Sequence, residues 1–396
     1  MTFLGDLCFK IGSGATPKGG KDSYRGGGYA LIRSQNVQDW EFTKSGLAYI
    51  NDEQASKLDA VQVESGDVLL NITGDSVTRA CIVPADIRKA RVNQHVCIVR
   101  PDGERLDNVY LLMFLESIKR RLLQIASSGA TRNALTKASI EALDLRLPTI
   151  EEQRRIAAPI RNISAQIDNL TQINGHLLEL TSAKYVELSK NQKNCNLNDI
   201  CEFVNDKTAI ENAVLETYVS TESLIADKRG RQIASKLPTS GKVTVYHPGD
   251  ILISNIRPYF KKIWFADCMG TCSNDVLAFR AKSDDMASLL YFTLYSDAFF
   301  EYTVAGSKGT KMPRGDKKQI MSYRIPAIDD VVKAFSSEAN RVLNLISTNR
   351  REIATLEQLR GTLLPKLMSG EIGVSKVELP TPPEQAQTST NGRLSE

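Results

Sequence analysis

The chain is 396 residues long, and its 50 lysines and arginines stand against 46 aspartates and glutamates, a formal net charge of +4. That length is too great for one ordinary hydrophobic core and suits two or three domains. So mild a charge permits an anionic partner without requiring one. No run of about 18 uncharged apolar residues occurs, so no membrane-spanning helix is expected. Residues 1–12 carry no basic segment followed by an apolar core, so no secretory signal is read there.

Residues 4–11 are apolar and strand-like, and they return as residues 197–204, the first sign of an internal repeat. A glycine-rich run follows at 12–22. It is not a phosphate-binding loop, because Gly20 stands where the lysine belongs and Asp22 after Lys21 has no hydroxyl for Mg²⁺. The strand-like edge at 31–37 presents Arg33, Ser34, Gln35 and Asn36. Gly66-Asp67 opens an apolar strand that recurs after Gly249-Asp250. The first strand leads into a polar loop at 71–79 with Thr78 and Arg79, the second into 254–262 with Asn255, Arg257, Tyr259 and Lys261. Val92-Asn93 matches Ser273-Asn274, and the runs behind them end at Arg100 and Arg280. Segments 109–126 and 287–303 each read as one amphipathic helix. A loop bearing glycine and cations comes next, with Thr131 and Arg132 in the first half and Lys308 and Lys311 in the second. Leu147-Pro148 and Ile325-Pro326 close the two halves, and matches in one unbroken order make the chain a duplication.

A long helical pattern starts after each proline. In the first, Ile156, Ile160, Ile163, Ile167, Leu170, Asn174 and Leu177 alternate spacings of four and three. In the second, Phe335, Ala339, Val342, Ile346, Asn349, Ile353, Leu356, Arg360, Leu363 and Leu367 do the same. Such a 3.5-residue repeat describes a coiled-coil seam, on helices roughly 55 Å long. The first helix delivers the chain to the second domain and the second starts where that domain ends, so an antiparallel pair needs no return path. Asn174 and Asn349, each near the middle of its stripe, should then lie close together.

The expected fold class is therefore mixed α/β, of the α+β kind, with two similar domains separated by an antiparallel two-helix coiled coil in a pseudo-two-fold repeat. The expected divisions are a first recognition domain at 1–149, a first spacer helix at 150–190, a second domain at 191–327, a second helix at 328–370 and a disordered tail at 371–396.

Catalytic motifs are missing. Arg257-Pro258-Tyr259-Phe260 is not the Asn/Asp-Pro-Pro-aromatic loop of an amino-methyltransferase, and no Phe-x-Gly-x-Gly run marks a methyl-donor pocket. His95, His176 and His247 share no motif. The seven cysteines are scattered: Cys268 and Cys272, like Cys195 and Cys201, lie close but lack a second pair or clustered histidine. Free thiols in a reducing cytosol are expected, without a metal. A non-enzymatic role suits two unlike readers on a rod, which could grip patches of one DNA duplex about one to two helical turns apart. Arginine and asparagine or glutamine pair bidentately with guanine and adenine. The DNA-binding candidates are thus Arg33, Ser34, Asn36, Thr78, Arg79, Thr131 and Arg132 in the first half. In the second they are Asn255, Arg257, Tyr259, Lys261, Lys308 and Lys311.

Residues 129–135, the Glu151-Glu152-Gln153 helix start behind Leu147-Pro148, and residues 359–372 with Leu364-Pro365-Lys366-Leu367 and Ser369-Gly370-Glu371-Ile372 resemble the specificity subunits of type I restriction–modification systems. Leu4-Gly5-Asp6 and Ile32-Arg33-Ser34 fit as well, so the resemblance covers nearly the whole chain. It implies two variable target-recognition domains and two conserved helices that dock two methyltransferase (modification) subunits, with restriction motor-nuclease subunits joining them in the cytoplasm. It also implies that this chain holds no cofactor, the methyl donor, ATP and Mg²⁺ being used by the partners. A specificity subunit for a fused nuclease–methyltransferase is the alternative. Asp329-Asp330-Val331-Val332 departs from the family's acidic-glutamine helix start in the second repeat.

Overall fold

In a computed structural model of the protein the described residues are 2–17, 24, 26–127, 133–190 and 195–374. The expected tail is described only as far as Val374, and the rest of it lies outside these residues. Among the described residues no helix is long and apolar enough to cross a membrane.

The chain divides into two compact units, one made of Met1–Asp168 with the segment from Thr355 onward, the other of Asn169–Ala354. Each unit thus combines one module with a part of both long helices, where the sequence had set the helices apart as separate spacers.

The module of the first unit contains, in order, β1 (Thr2–Phe3), β2 (Cys8–Ser13), β3 (Tyr29–Ile32), β4 (Ala48–Ile50), α1 (Asp52–Ser56), β5 (Gln62–Val63), β6 (Val68–Asn71), β7 (Ala80–Ile82), β8 (Ala90–Val92), β9 (Val96–Pro101), α2 (Asn108–Ser117), α3 (Lys119–Ser127), α4 (Lys137–Glu141) and β10 (Asp144–Leu145). The long helix α5 (Ile150–Leu188) follows. The module of the second unit contains β11 (Cys195–Asn196), α6 (Leu197–Ile200), β12 (Cys201–Phe203), β13 (Lys207–Ala209), β14 (Tyr218–Val219), β15 (Lys242–Tyr246), β16 (Ile251–Ser254), β17 (Ile263–Phe265), β18 (Gly270–Cys272), β19 (Val276–Ala281), α7 (Ala287–Tyr295), α8 (Asp297–Ala305), α9 (Lys317–Met321) and β20 (Arg324–Ile325). The second long helix, α10 (Asp330–Ser369), completes the order.

The duplication is visible strand by strand. One sheet runs β2-β9-β6-β7 in the first module and β12-β19-β16-β17 in the second, all antiparallel. The other sheet contains a parallel pair in each, β3 with β8 and β14 with β18. Its fourth strand differs: β4 pairs with β3 in the first module, whereas β13 pairs with β15 in the second. Hydrogen bonds also correct the sequence register by one residue. Asn93 N donates to Ile32 O (3.0 Å) and Ser273 N to Val219 O (2.9 Å), so Asn93 corresponds to Ser273.

The recurrent Gly-Asp has a structural reason. Gly66 and Gly249 have φ of +84° and +91°, a turn that glycine makes without Cβ strain. The aspartate that follows is 2% exposed at Asp67 and 1% at Asp250. Asp67 receives Arg100 Nε at 2.7 Å and Nη2 at 2.9 Å; Asp250 receives Arg280 Nε at 2.8 Å and Nη2 at 2.7 Å. These forked ion pairs tie the turn before the central strand to the end of the neighbouring strand, which is why Arg100 and Arg280 recur.

The two amphipathic helices expected after the sheets are each broken in two. The break falls at Ile118 between α2 and α3, and at Ser296 between α7 and α8, where the Ser296 hydroxyl accepts from Phe299 N at 3.2 Å. The first member of each pair is not amphipathic: six successive residues of α2, from Tyr110 to Leu115, are buried, and so are seven of α7, from Ser288 to Leu294. These helices pack on the sheet on one side and on the long helices on the other.

Along α5 and α10 the residues of both expected stripes are buried or half-buried. The helices run antiparallel. In the first unit Ala157 and Ile160 share a core with Leu364 and Leu367, and Arg360 Nη1 donates to Ser164 Oγ at 3.3 Å. In the second unit Tyr185 meets Phe335, their ring centroids 6.0 Å apart. Asn349 Nδ2 donates to Asn174 Oδ1 at 2.8 Å, the meeting that the stripes required. The helix starts differ in chemistry. Thr149 and Glu152 form a capping box on α5, and buried Gln153 bonds Arg105 O, Pro148 O and Asp107 N. On α10 Asp329 caps Val332 N, and the lashing to the module passes to Ser336, which bonds Ser288 and Asp285 O. The departure from the acidic-glutamine start therefore keeps the attachment by other groups.

Candidate nucleic-acid interface

In each module a turn follows the parallel strand and faces a loop that follows the central strand, and a cleft lies beside them. In the first module the turn is Ser34–Asn36, behind β3. Its backbone is pinned from inside. Asn36 Oδ1 accepts from Arg33 N, Asn36 Nδ2 donates to Thr43 O and Ser45 O, and Asn71 Nδ2 donates to Ser34 O and Val37 O. In the second module Ser223 does the same work, its Oγ accepting from Ser220 N at 2.8 Å. The facing loops also correspond: Arg79 O accepts from Asn71 N (2.8 Å), and Lys262 O accepts from Ser254 N (3.2 Å). Gly74 N donates to Asn133 O and Arg257 N to Pro313 O, so Arg257 occupies the position of Gly74, both with positive φ.

The first cleft is lined by Ser34, Gln35, Thr73, Asp75, Arg79 and His95 among others. Thr73 Oγ1 and His95 Nδ1 lie 2.5 Å apart, and Arg79 Nη1 donates to Gln38 Oε1 at 2.5 Å. The second cleft is lined by Glu222, Leu224, Ile225, Gln232, Phe260 and Lys262 among others. Burial holds the Lys262 ammonium below the usual lysine range, and the carboxylate of Glu222 partly restores it. Both clefts thus place a cation on the loop opposite the polar tip of a fixed turn.

The sequence-derived candidates fall into four groups. Ser34 and Arg79 line the first cleft. Arg33 is half-buried beside it, with Nη2 on Gly46 O at 2.6 Å and its guanidinium 5.6 Å from the Tyr24 ring centroid. On the second module Tyr259 is 49% exposed and packs at a tilt of 55° against Phe260, Lys261 pairs with Asp297 at 2.6 Å, and Lys308 is exposed and paired with Asp316. Lys311 is exposed, Arg257 is half-buried, and Asn255 is half-buried with its side-chain oxygen enclosed. Two candidates are corrected. Asn36 is fully buried with its amide spent on the turn, and Thr78 is 2% exposed at φ +75°; neither offers a polar group to a base. Thr131 and Arg132 lie outside the described residues. Arg79 and Arg257 both follow a Gly-Asp strand but are not equivalents, since the counterpart of Arg79 is Lys262.

The candidate segments read from the sequence contained Gln35, Thr73 and Lys262 without singling them out, and His95, Glu222 and Gln232 were passed over as site residues. One signal was available for Lys262: it follows Ser254 at the spacing by which Arg79 follows Asn71, from strand end to loop exit.

All seven cysteines are free, and among the described residues no three His, Cys, Asp or Glu side chains gather as a metal cluster.

Residues 1–179 match the family model of the type I restriction modification DNA specificity domain. Over 94% of its length the chain is 22% identical to a protein of Methanocaldococcus jannaschii named as a type I restriction enzyme MjaX specificity subunit, 93% of which is covered. Over 41% of its length it is 26% identical to the Escherichia coli type I restriction enzyme EcoBI specificity subunit, of which 34% is covered. The crystal structure of a type I restriction–modification S subunit from M. genitalium shares the fold, with a TM-score of 0.50 at 14% identity over 92% of this chain and 94% of that one. Residues 1–179 therefore match a type I restriction modification DNA specificity domain, and the chain is similar over nearly its whole length to a type I restriction enzyme specificity subunit.

Proposed function

We propose that this chain is the non-catalytic DNA-recognition subunit of a type I restriction–modification complex and that it reads a bipartite, asymmetric DNA target, one part through each module. The observation that carries this reading is the occurrence of one cleft in the same place in both modules with different linings: Arg79, Gln35, Thr73 and His95 in one, Lys262, Glu222, Gln232 and Phe260 in the other. Equivalent position suits equivalent docking, and unequal side chains suit unequal sequences. The exposed cations of the second module, Lys308 and Lys311, supply charge for phosphate contacts, which give affinity without sequence preference.

The long helices are the docking surface for two methyltransferase subunits, and through them for the motor-nuclease subunits. Ile173 and Leu180, two turns apart on one face of α5, and Leu345 on α10 are exposed and offer apolar area for such partners. The methyl donor, ATP and Mg²⁺ belong to those partners, and the complex works in the cytoplasm. Methylome sequencing of cells with and without this chain tests the reading. Loss of one two-part methylated motif is the expected result, and an unchanged methylome would overturn it.

A further inference from the structure

We propose that Gln35 and Glu222 are corresponding specificity residues, Gln35 reading an adenine in one half of the target and Glu222 a cytosine in the other. The inference rests on the docking of both clefts against DNA proposed above and goes further, to single bases.

Three pairs of hydrogen bonds establish the correspondence. The parallel strands align at Ile32 and Val219 through Asn93 N and Ser273 N. One residue on, Arg33 N bonds Asn36 Oδ1 as Ser220 N bonds Ser223 Oγ. The loops opposite align at Arg79 and Lys262 through Asn71 N and Ser254 N. Gln35 and Glu222 then occupy the same place, two residues beyond the first residue of the turn. Of the residues lining the two clefts, two positions coincide: Arg79 with Lys262, and Gln35 with Glu222. The first keeps its positive charge. The second changes from an amide to a carboxylate. A constant cation with a variable polar tip divides the work as DNA recognition divides it, the charge holding a phosphate and the tip meeting a base edge.

The free hydrogen-bonding groups choose the bases. Both side chains are exposed on a turn whose backbone is fixed by a buried residue, Asn36 or Ser223. Gln35 Nε2 spends one hydrogen on Gly46 O at 3.1 Å. One donor and the Oε1 acceptor remain, the complement of adenine N7 and its N6 amino group. Glu222 is an acceptor without a donor, which suits the N4 amino group of cytosine and opposes the carbonyl edge of guanine or thymine.

The test uses the complete methylating complex and reads its motif by methylome sequencing for Glu222→Gln, Gln35→Glu, Arg79→Ala and Lys262→Ala. The expected result is a change of accepted base at one position, cytosine to adenine for Glu222→Gln and the reverse for Gln35→Glu, each in a different half of the motif. If both motifs stay unchanged while the two alanine variants lower methylation, the inference is overturned and the docking reading stands. If all four variants methylate as the parent does, both are overturned. Should a variant abolish methylation, equilibrium binding of its complex to duplexes varied one position at a time decides. A preference altered by roughly 5- to 150-fold at a single position supports the inference, the range of one bidentate contact, and uniform weakening at every position overturns it.

Discussion

Removing the carboxylate of Asp67 should destabilise the first module, and removing that of Asp250 should destabilise the second to a similar degree. Asp67 is 2% exposed and accepts three hydrogen bonds, two from Arg100 and one from Glu64 N at 2.7 Å. Asp250 is 1% exposed and accepts two from Arg280 and one from His247 N at 2.8 Å. Breaking a buried pair by deleting one partner costs about 3–5 kcal/mol, because a charge is stranded. Here the stranded arginines keep some water, at 19% and 30% side-chain exposure, and keep Glu64 or Asp206 as second partners. The loss should therefore fall to about 2–4 kcal/mol for Asp67→Ala or Asp250→Ala. For units of this size that corresponds to a fall in Tm on the order of 10 °C. Differential scanning calorimetry reads the shift. Hydrogen exchange locates it, with protection lost in β6 and β9 for one variant and in β16 and β19 for the other. A change below about 1 °C in either variant would refute the claim that the recurrent Gly-Asp and arginine are one structural clamp.

A double-mutant cycle on Asn174→Ala and Asn349→Ala should give a coupling of about 1–2 kcal/mol by chemical denaturation, since the pair is buried and shares one amide–amide bond; a coupling near zero would deny that the asparagines set register. Glu116 is pushed up to about 7, first by burial, against the pull of Lys119. Its folded-state value lies above the unfolded one, so its contribution is fully present below the unfolded value and is lost as pH rises through about 7. Glu116→Gln should then stabilise the protein by about 1–3 kcal/mol above pH 7 and flatten the pH profile between 4.5 and 7, as read by urea midpoints. Burial pushes the Cys8, Cys97, Cys201 and Cys272 thiols up to about 12. They should resist iodoacetamide at pH 8 until the protein is unfolded, and mass spectrometry of native and denatured samples checks this.

The repeat and the helix seam were legible because they depend on local periodicity. Glycine with positive φ before a buried aspartate, and an apolar residue every three or four positions, leave marks that survive divergence. The division of 109–126 and 287–303 into two helices was less legible. A fully buried helix has no polar face to time its period, and the break at Ser296 turns on one cap. The site was legible as a region but not as a set of residues. Asn36 and Ser34 are neighbours of the same polar type, and which one is spent inside the turn depends on where Thr43 and Ser45 return to meet it. Arg79 and Lys262 lie equally far behind Gly66 and Gly249, so their match is written in the sequence, and looking for the next arginine instead of keeping that spacing hides it.

The central claim, that one chain carries two unlike readers for one target, is tested most directly by measuring binding of the assembled complex to duplexes in which one half of the methylated motif is scrambled at a time. Scrambling either half should weaken binding by a factor of at least about 1,000, toward the level of random duplex. Full affinity retained with either half scrambled would contradict the account.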